Sequence, residues 1–294
     1  MRRLEYRVPP GCEGMDVKSF ARMELGFSSR AFVRQKYTEN GMLLNGKPCR
    51  SIDCLHSGDL LVFQLPEEQK SYQAVPGKLD ILLENQDFLV GEKGAGMPVH
   101  PSPGHDSDSL LNVAAYHYES TGQHCTFRPL YRLDKDTSGL IVLAKSRIAA
   151  GAKADKVYFA VCEGRLDGGG IIDLPIGLAP GSKIRREVGH GETAVTRWKA
   201  VAGTEGHTLL AIKLLTGRTH QIRVHFSHLG HPLAGDDLYG GARSLVPRQA
   251  LHCGRLKLFS KPLDFQMDFL SEFPADLRAA FPWLPNIGTI KEDF

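Results

Sequence analysis

Long apolar segments are absent from this chain of 294 residues. No stretch approaches the roughly 20 consecutive apolar residues that a membrane helix needs, so no membrane association is expected. The N-terminal segment, MRRLEYR, has no apolar core of the kind found in secretion signals. These absences exclude integral membrane proteins from the candidate classes and predict a cytoplasmic protein.

Cysteine pairs and nucleotide-binding glycine motifs are also missing. The chain has six cysteines, none of which forms a Cys-x-x-Cys pair, so free thiols in a reducing compartment are the expected state. The Gly-rich segment at residues 93–98 (KGAGMP) contains neither Gly-x-Gly-x-x-Gly nor Gly-Lys-Thr. A phosphate cradle for a nucleotide is therefore not predicted.

The chain has no large excess of charge of either sign. The formal net charge is +3 at pH 7 and the pI is about 8.5, which permits an anionic partner without requiring one. A strongly basic tail is absent, so any nucleic-acid binding must use local patches. The hydrophobic content of 42% is ordinary for a globular protein, and the length is sufficient for two domains.

Residues 1–65 are predicted to form a small separate domain. Helical spacing covers Met15–Phe27, and Ser28 is suited to cap a second helix that Gly41 would end. The Asn-Gly pair at 45–46 predicts a β-hairpin with a tight turn. These signals indicate a compact unit of two helices and a few short strands.

Residues 66–77 are expected to form a linker, and residues 78–294 a larger domain. Strands are predicted at 81–84, 88–90, 140–144, 157–162, 194–201 and 209–215, and helices at 107–118, 219–229 and 274–281. The strands dominate and do not alternate regularly with helices. The predicted fold class is therefore α+β, with a largely antiparallel mixed sheet and flanking helices rather than a doubly wound sheet.

Residues 132–145 read RLDKDTSGLIVLAK and are the most informative segment. Asp134 lies in a polar, turn-prone run, and the apolar residues 140–144 that follow predict a short buried strand. Asp134 is therefore expected in a stiff loop at the edge of a core strand, where a rigid scaffold can fix a reacting group. A turn aspartate that caps Thr137 or Ser138 is the simpler structural interpretation.

This segment resembles the signature of the RluA-type pseudouridine synthases, roughly His-Arg-Leu-Asp-x-x-Thr-Ser-Gly-Leu-Leu-Leu-x-Ala-Lys, with Tyr131 at the usual position of the histidine. Residues 215–225 (LTGRTHQIRVH) are similar to the second strong motif of that family, and residues 230–236 (GHPLAGD) follow it. The resemblance implies an isomerase that breaks the glycosidic bond of uridine and rejoins the base through carbon five. Because this reaction has no redox step, neither a cofactor nor a metal is expected.

The resemblance implies three catalytic residues. Asp134 would act as the nucleophile at the anomeric carbon or at carbon six of the uracil, and proton removal from the anomeric centre stays open as another role. Arg223 is expected to pair with Asp134 and hold it ionised, whereas a surface arginine is the structural alternative. Tyr158, in a block similar to the Lys-x-Tyr of the family, would stack on a flipped uracil, or act as or assist the base that removes the proton from carbon five; a core tyrosine is the alternative.

The N-terminal domain resembles the small RNA-binding domain named after ribosomal small-subunit protein S-four, although residues 14–17 (GMDV) replace its usual Arg-Leu-Asp. The resemblance implies a monomer that binds structured RNA, ribosomal rather than transfer RNA, and flips its target uridine. The candidate RNA-binding residues are Arg30, Arg34, Lys47, Arg132 and Arg218.

The connector at residues 146–155 (SRIAAGAKAD) departs from the family, which usually inserts a helix there. The shorter connector is expected to alter the RNA contacts or the position of Tyr158.

One alternative function is that of an RNA-binding paralogue with reduced or no activity. Another is a magnesium-dependent phosphatase of the haloacid-dehalogenase type, with Asp134, Asp236 and Asp237 as acidic residues; that class, however, places its apolar strand before the motif. Four histidines cluster without a metal-binding pattern: His220, His225, His228 and His231.

Overall fold

The computed structural model describes residues 2–65, 72–102 and 104–291. The strands are β1 (Arg2–Arg7), β2 (Met42–Leu44), β3 (Lys47–Pro48), β4 (Leu60–Leu65), β5 (Asp80–Glu84), β6 (Phe88–Lys93), β7 (Arg128–Pro129), β8 (Ser138–Ala144), β9 (Lys153–Glu163), β10 (Gly169–Asp173), β11 (Ile176–Leu178), β12 (Arg186–Val188), β13 (Val195–Gly203), β14 (His207–Leu214), β15 (Leu251–Ser260) and β16 (Phe265–Leu270). The helices are α1 (Val17–Ser19), α2 (Ser29–Lys36), α3 (Leu110–Ser120), α4 (Gln221–His228) and α5 (Ala275–Ala280).

The N-terminal residues form a four-stranded antiparallel sheet in the order β1-β4-β2-β3. Asn45 and Gly46 both have positive φ, 50° and 82°, so the predicted hairpin turn is confirmed. The Ser28 side chain accepts a hydrogen bond from the Ala31 amide at 3.2 Å and caps α2, as predicted. The first helical segment differs from the prediction, because α1 continues as a π-helix over Phe20–Glu24.

A ten-stranded mixed sheet organises the larger part of the chain, with eight strands in the order β10-β13-β14-β9-β15-β8-β6-β5. Strands β16 and β7 pair additionally with β15 and β8. Among the described pairings of this sheet, only β15 with β8 is parallel. The predicted α+β class with a largely antiparallel sheet is confirmed. The central strand β15 was not predicted, because His252, Gly254 and two basic residues interrupt its apolar pattern.

Residues 72–77 of the expected linker pack against helix α3. Residues 66–71 of that linker lie outside the described residues. The Asn112 side-chain amide donates to the Gln73 carbonyl at 2.8 Å, and the Val75 amide donates to the Asn112 carbonyl at 3.1 Å. The Tyr72 and Phe127 rings lie 5.5 Å apart. This segment therefore adds to the packing of α3.

The small sheet also contacts the larger one. Ile148 of the connector is buried in the apolar cluster of the N-terminal residues, and Leu263 packs against the same cluster. The Tyr6 hydroxyl donates to the Pro262 carbonyl at 2.6 Å. Within the described residues, no helix has both the length and the apolar character required to cross a membrane.

Candidate active site

The loop that carries Asp134 is built against the parallel pair of β8 and β15. Gly139 has a φ of +113°, and a Cβ at this position would lie 2.3 Å from the Cys253 carbonyl oxygen. Only glycine permits so close an approach of β15. The Thr137 amide donates to the backbone carbonyl of Asp134 at 3.1 Å. The turn is therefore closed by the backbone, and the Asp134 carboxylate is not used as a cap.

Two buried cations donate hydrogen bonds to the backbone of this loop. The Lys93 ammonium donates to three carbonyl oxygens at 2.7–2.8 Å, those of Gly94, Met97 and Lys135. Arg248 forms a bidentate ion pair with Asp276 and also donates to the Asp136 carbonyl at 3.1 Å. The two residues that follow Asp134 thus have their carbonyl groups held by side chains distant in sequence, which restrains the loop on the C-terminal side of Asp134.

Arg223, on α4, contacts two carboxylates. Its Nε and Nη2 atoms bind Asp236 at 2.6 and 2.8 Å, whereas its Nη1 atom is 3.4 Å from Asp134 Oδ2. The predicted contact with Asp134 is present, but Asp236 is the closer partner. Exposed side-chain fractions are 8% for Arg223, 0% for Asp236 and 28% for Asp134. Arg223 is therefore a buried anchor rather than a surface arginine.

The bidentate pair determines the charge and direction of Arg223. Burial alone would lower the pKa of Arg223, but the hydrogen bonds and charge of Asp236 raise it, so the guanidinium stays cationic. Its third nitrogen, Nη1, then faces Asp134, and its Cζ atom lies 5.0 Å from the Tyr239 ring centroid. From the sequence, Asp236 was expected only as part of the segment after the second motif and as an acidic residue of the phosphatase alternative, and its pairing with Arg223 was missed; the Gly-Asp pair soon after that motif was the available signal.

His220 is a further residue of the site that sequence reasoning considered only as a metal ligand. It lies at the start of α4 with a left-handed φ of +57°, a strained conformation that is enriched at functional sites. Its Nδ1 atom is 2.8 Å from the Tyr239 hydroxyl, which accepts a hydrogen bond from the Arg186 amide. Burial lowers the pKa of His220, which favours a neutral ring beside Asp134.

Tyr158, on β9, lines the cavity next to Asp134 and is only 5% exposed. Within the described residues its hydroxyl makes no hydrogen bond. Burial, with the nearby Cys253 and Asp134, raises the pKa of Tyr158 well above its usual value, so the phenol is neutral. This protonation state favours stacking or hydrogen-bond donation over a role as a base. Tyr131 lies nearby, with the Lys156 ammonium 4.3 Å from its ring centroid.

The cavity opens into a wide basic groove. The cavity itself has a volume of about 60 Å³, and the groove beside it has about 780 Å³. Only the groove falls in the size range of ligand pockets, about 300–1,000 Å³. The active-site groove is lined by residues that include Arg132, Asp134, Lys135, Lys156, Tyr158 and Arg218. Asp134 thus lies where a cationic surface narrows to a small recess.

The candidate RNA-binding residues fall into two groups. Arg132 is exposed in the active-site groove and forms no hydrogen bond or ion pair within the described residues. Arg218 also lines the groove, but it binds Glu192 and donates to the Thr193 carbonyl at 2.9 Å. The other group lies exposed on the N-terminal sheet and helices and does not line the cavity or the groove at Asp134: Arg30, Arg34 and Lys47.

The acidic residues of the phosphatase alternative pair with arginines. Asp236 binds Arg223, and Asp237 binds Arg243 at 2.8 Å. In the part of the chain that the structure describes, no group of three or more potential metal ligands is found. His225, one of the clustered histidines, is buried and bonds to Thr196 at 2.8 Å. These contacts disfavour both the phosphatase interpretation and a histidine metal site.

Comparisons with known proteins identify the family of this chain. The family described as RNA pseudouridylate synthase matches residues 87–228. The "Uncharacterized RNA pseudouridine synthase YjbO" of Bacillus subtilis is 40% identical over 90% of this chain and 97% of its own length. The "Ribosomal large subunit pseudouridine synthase D" of Pseudomonas aeruginosa is 36% identical over 88% of this chain and 87% of its length. The structure of "Human RNA Pseudouridylate Synthase Domain Containing 1" matches with a TM-score of 0.57 and 25% identity, over 72% of this chain and 90% of that one.

The matches over most of the chain place it in the class of RNA-modifying enzymes. The chain belongs to the RluA-type RNA pseudouridine synthases, isomerases that convert uridine to pseudouridine in RNA.

Proposed function

We propose that this enzyme acts on structured ribosomal RNA of the large subunit. The relative from Pseudomonas aeruginosa that carries this substrate in its name aligns over 88% of the chain. The small N-terminal sheet and the active-site groove together offer two cationic surfaces, which suits an RNA with folded structure around the target uridine. Ribosomal RNA is favoured over transfer RNA on these grounds.

Asp134 is proposed as the catalytic nucleophile. The single observation that carries this role is the chain of contacts from Asp236 through Arg223 to Asp134, which orients a carboxylate at the floor of the groove. A carboxylate that attacks covalently divides the cleavage of the glycosidic bond into two easier steps. Arg223 acts as its positioning residue, and Tyr158 contacts the uracil by stacking or by donating from its hydroxyl.

The target uridine is proposed to leave its helix before it reacts. Asp134 lines both the groove and the small recess beside it, whereas the reacting atoms of a base that stays stacked and paired in its helix are out of reach of a side chain. Flipping costs a few kcal/mol for unstacking and unpairing. Backbone contacts from Arg132 and Arg218, at the groove, would offset this cost.

Residues 1–65 are proposed as an S-four-like RNA-binding domain, joined to a catalytic domain over 78–294. Arg30, Arg34 and Lys47 would provide its phosphate contacts, since all three are exposed. A monomeric state and the cytoplasm as compartment stay predictions. The second is supported by six cysteines that are free in the structure.

The experiment that tests this function is chemical mapping of pseudouridine in large-subunit ribosomal RNA. RNA from a strain without the protein is compared with RNA from the same strain supplied with the wild-type chain. The expected result is one or more uridines that are modified only when the protein is present. Unchanged ribosomal RNA, together with a lost modification in transfer RNA, would contradict the proposed substrate.

A further inference from the structure

His220 has a strained backbone that the residues around it enforce. Its φ is +57°, and the other three non-glycine residues with positive φ in the described part of the chain are Asn or Asp, which tolerate this conformation best. The Gln221 side chain accepts hydrogen bonds from the Thr216 hydroxyl and the Arg218 amide, both at 2.9 Å, and it donates to two groups of β13. Strain that the surroundings over-determine in this way is typical of functional sites.

The Nδ1 atom of the His220 ring is occupied by Tyr239. The Tyr239 hydroxyl accepts a hydrogen bond from the Arg186 amide at 3.0 Å and lies 2.8 Å from His220 Nδ1. Burial raises the pKa of Tyr239, so the phenol keeps its proton, and among the described residues Nδ1 is the acceptor for that proton. A neutral ring that accepts at Nδ1 carries its own hydrogen on Nε2.

The other ring nitrogen is available to the small recess beside Asp134. Nε2 makes no hydrogen bond within the described residues. His220 lines the recess together with Asp134 and Tyr158, but it does not line the wide active-site groove. Burial lowers the pKa of His220, and the charge of Asp134 opposes this lowering. The ring is therefore neutral, lies within electrostatic range of the carboxylate, and holds an unused donor next to it.

The arginines that line the recess are occupied or face the wide groove. Arg223 binds Asp236 and Asp134, and Arg218 binds a glutamate. Arg132 is exposed and also lines the active-site groove. A base that enters the recess therefore meets a histidine donor that no protein carboxylate takes.

We propose that His220 is a further catalytic residue, whose Nε2–H donates a hydrogen bond to a carbonyl oxygen of the flipped uracil as negative charge develops there. This inference rests on the proposed function, since it takes Asp134 as the group that attacks the uridine. Tyr239 is the positioning residue, because its hydroxyl directs the ring hydrogen to Nε2 and holds the ring in place.

The developing charge follows from the bonds that change. When Asp134 forms a bond to the anomeric carbon, the bond from that carbon to N1 breaks, and its electron pair passes to the uracil ring and is shared by O2 and O4. When Asp134 adds at carbon six instead, the electron pair of the double bond between carbons five and six passes to O4. Either route makes a carbonyl oxygen a stronger acceptor in the transition state than in bound uridine, so a fixed donor lowers the barrier. No proton leaves His220.

The test compares two amide side chains of different reach. His220→Gln keeps an amide donor about as far from the backbone as Nε2, whereas the amide of His220→Asn reaches only as far as Nδ1. Asn tolerates a left-handed φ better than Gln does, so a purely structural role would favour His220→Asn. His228→Asn is the matched control, because His228 is exposed at the end of the same helix and lines neither the recess nor the groove.

The substrate is total RNA from a strain without the protein, so the assay does not depend on which RNA carries the target. Pseudouridine formation is measured under single-turnover conditions, beside RNA affinity and Tm. His220→Asn should lower the rate on the order of 100-fold, the usual cost of removing one donor to a developing charge, with RNA affinity unchanged. His220→Gln should recover most of that loss, and His228→Asn should react as the wild type does. Equal rates in His220→Asn and His220→Gln, whether normal or reduced, would overturn the catalytic role.

Tyr239→Phe tests the positioning of the ring. It should lower the rate when His220 is present and have no further effect in the His220→Asn background, because the hydroxyl acts through the histidine. A loss of the same size in both backgrounds would show that Tyr239 acts independently and would overturn its positioning role.

Failure of the proposed function has a different signature. Asp134→Asn is assayed on the same RNA, and a normal rate in that variant would remove the proposed nucleophile whatever the His220 variants show. Modified uridines that map only outside large-subunit ribosomal RNA would contradict the proposed substrate, whereas the comparison of His220→Asn with His220→Gln would still decide whether the histidine serves the reaction.

Discussion

A single arginine shared by two carboxylates is the central feature of the site at the scale of residues. Asp236 is fully buried and accepts hydrogen bonds from Nε and Nη2 of Arg223, which leaves the third nitrogen, Nη1, to face Asp134 at 3.4 Å. A buried charge that loses its partner is strongly destabilising. Asp236 is therefore required to hold Arg223 in place, and Arg223 in turn fixes the direction of Asp134.

Substitutions of this arginine and its partner should lower turnover without abolishing RNA binding. Arg223→Lys keeps the charge but cannot bind Asp236 and Asp134 together, so we expect a loss of turnover on the order of 100-fold. Arg223→Ala should lose more. Asp236→Asn should also lower turnover, although it touches no substrate, because it releases the Arg223 fork.

Single-turnover rates at saturating RNA are the appropriate measurement for these variants. Arg243→Lys is the control, because Arg243 forms an exposed pair with Asp237 outside the groove. Wild-type turnover in Arg223→Lys and Asp236→Asn would show that the chain of contacts is structural and does not serve the reaction.

At the scale of elements, the parallel contact between β8 and β15 supports the Asp134 loop. His252 on β15 lies opposite Ser138 on β8, with 3.0 Å between His252 Nδ1 and the Ser138 hydroxyl. Its Nε2 atom is 3.1 Å from the Ser271 carbonyl. Burial lowers the pKa of His252 to about 4. The imidazole is therefore neutral in the folded protein at neutral pH.

This histidine should make folding sensitive to acid. The ordinary pKa of 6.5 applies in the unfolded chain, whereas the folded value is about 4. Between these pH values the unfolded state binds a proton that the folded state does not, so stability falls as the pH falls, by up to about 3 kcal/mol. Free energies of unfolding for His252→Gln should therefore depend less on pH from 6.5 to 4 than those of the wild type.

The exposed His228→Gln provides the comparison for that measurement. Identical pH dependence in the wild type, His228→Gln and His252→Gln would mean that His252 does not resist protonation. A selective flattening in His252→Gln alone would support the strand contact as a determinant of stability in acid.

Local patterns predicted some elements and missed others for physical reasons. The apolar run of β8 and the turn before it indicated where Asp134 lies, and helical spacing indicated the helix of Arg223. Strand β15 was not predicted because His252 interrupts its apolar pattern. The contact between His252 and Ser138 forms only in the folded chain, so the sequence gives no sign of it. The role of Arg248 was missed because its partner Asp136 is 112 positions away in sequence, and the role of Asp236 was missed because its pairing with Arg223 on α4 depends on the loop that returns the chain to that helix.

At the scale of the whole molecule, apolar residues of the larger part of the chain are buried against the N-terminal residues. Ile148 and Leu263 of the larger part of the chain pack into the apolar cluster of the N-terminal residues. Their contribution could not be predicted from sequence, because the connector read only as a shortened segment. The predicted start of the catalytic domain at residue 78 also separates residues 72–77 from helix α3, against which they pack.

Two truncated chains should differ in stability. A chain that begins at Tyr72 keeps the hydrogen bonds between Gln73, Val75 and Asn112, whereas one that begins at Lys78 loses them. We expect the first to fold with a higher Tm than the second. Both should bind RNA more weakly than the full chain and with a shallower salt slope, because the phosphate contacts of the small domain are gone.

Thermal unfolding and RNA titration of the two truncated chains and the full chain check this prediction. Equal Tm values for the two truncated chains would show that residues 72–77 contribute nothing to α3. An unchanged salt slope in the chain that begins at Tyr72 would show that the N-terminal domain does not touch the substrate.

The most direct test of the central claim compares Asp134→Asn with Asp136→Asn. The first substitution keeps the shape of the side chain and removes its charge, and the second does the same two residues later, where the side chain does not line the cavity. Pseudouridine formation is measured under single-turnover conditions with saturating ribosomal RNA, beside RNA affinity. We expect Asp134→Asn to bind RNA but to form no pseudouridine, while Asp136→Asn retains most turnover. Near-normal turnover in Asp134→Asn would contradict this expectation.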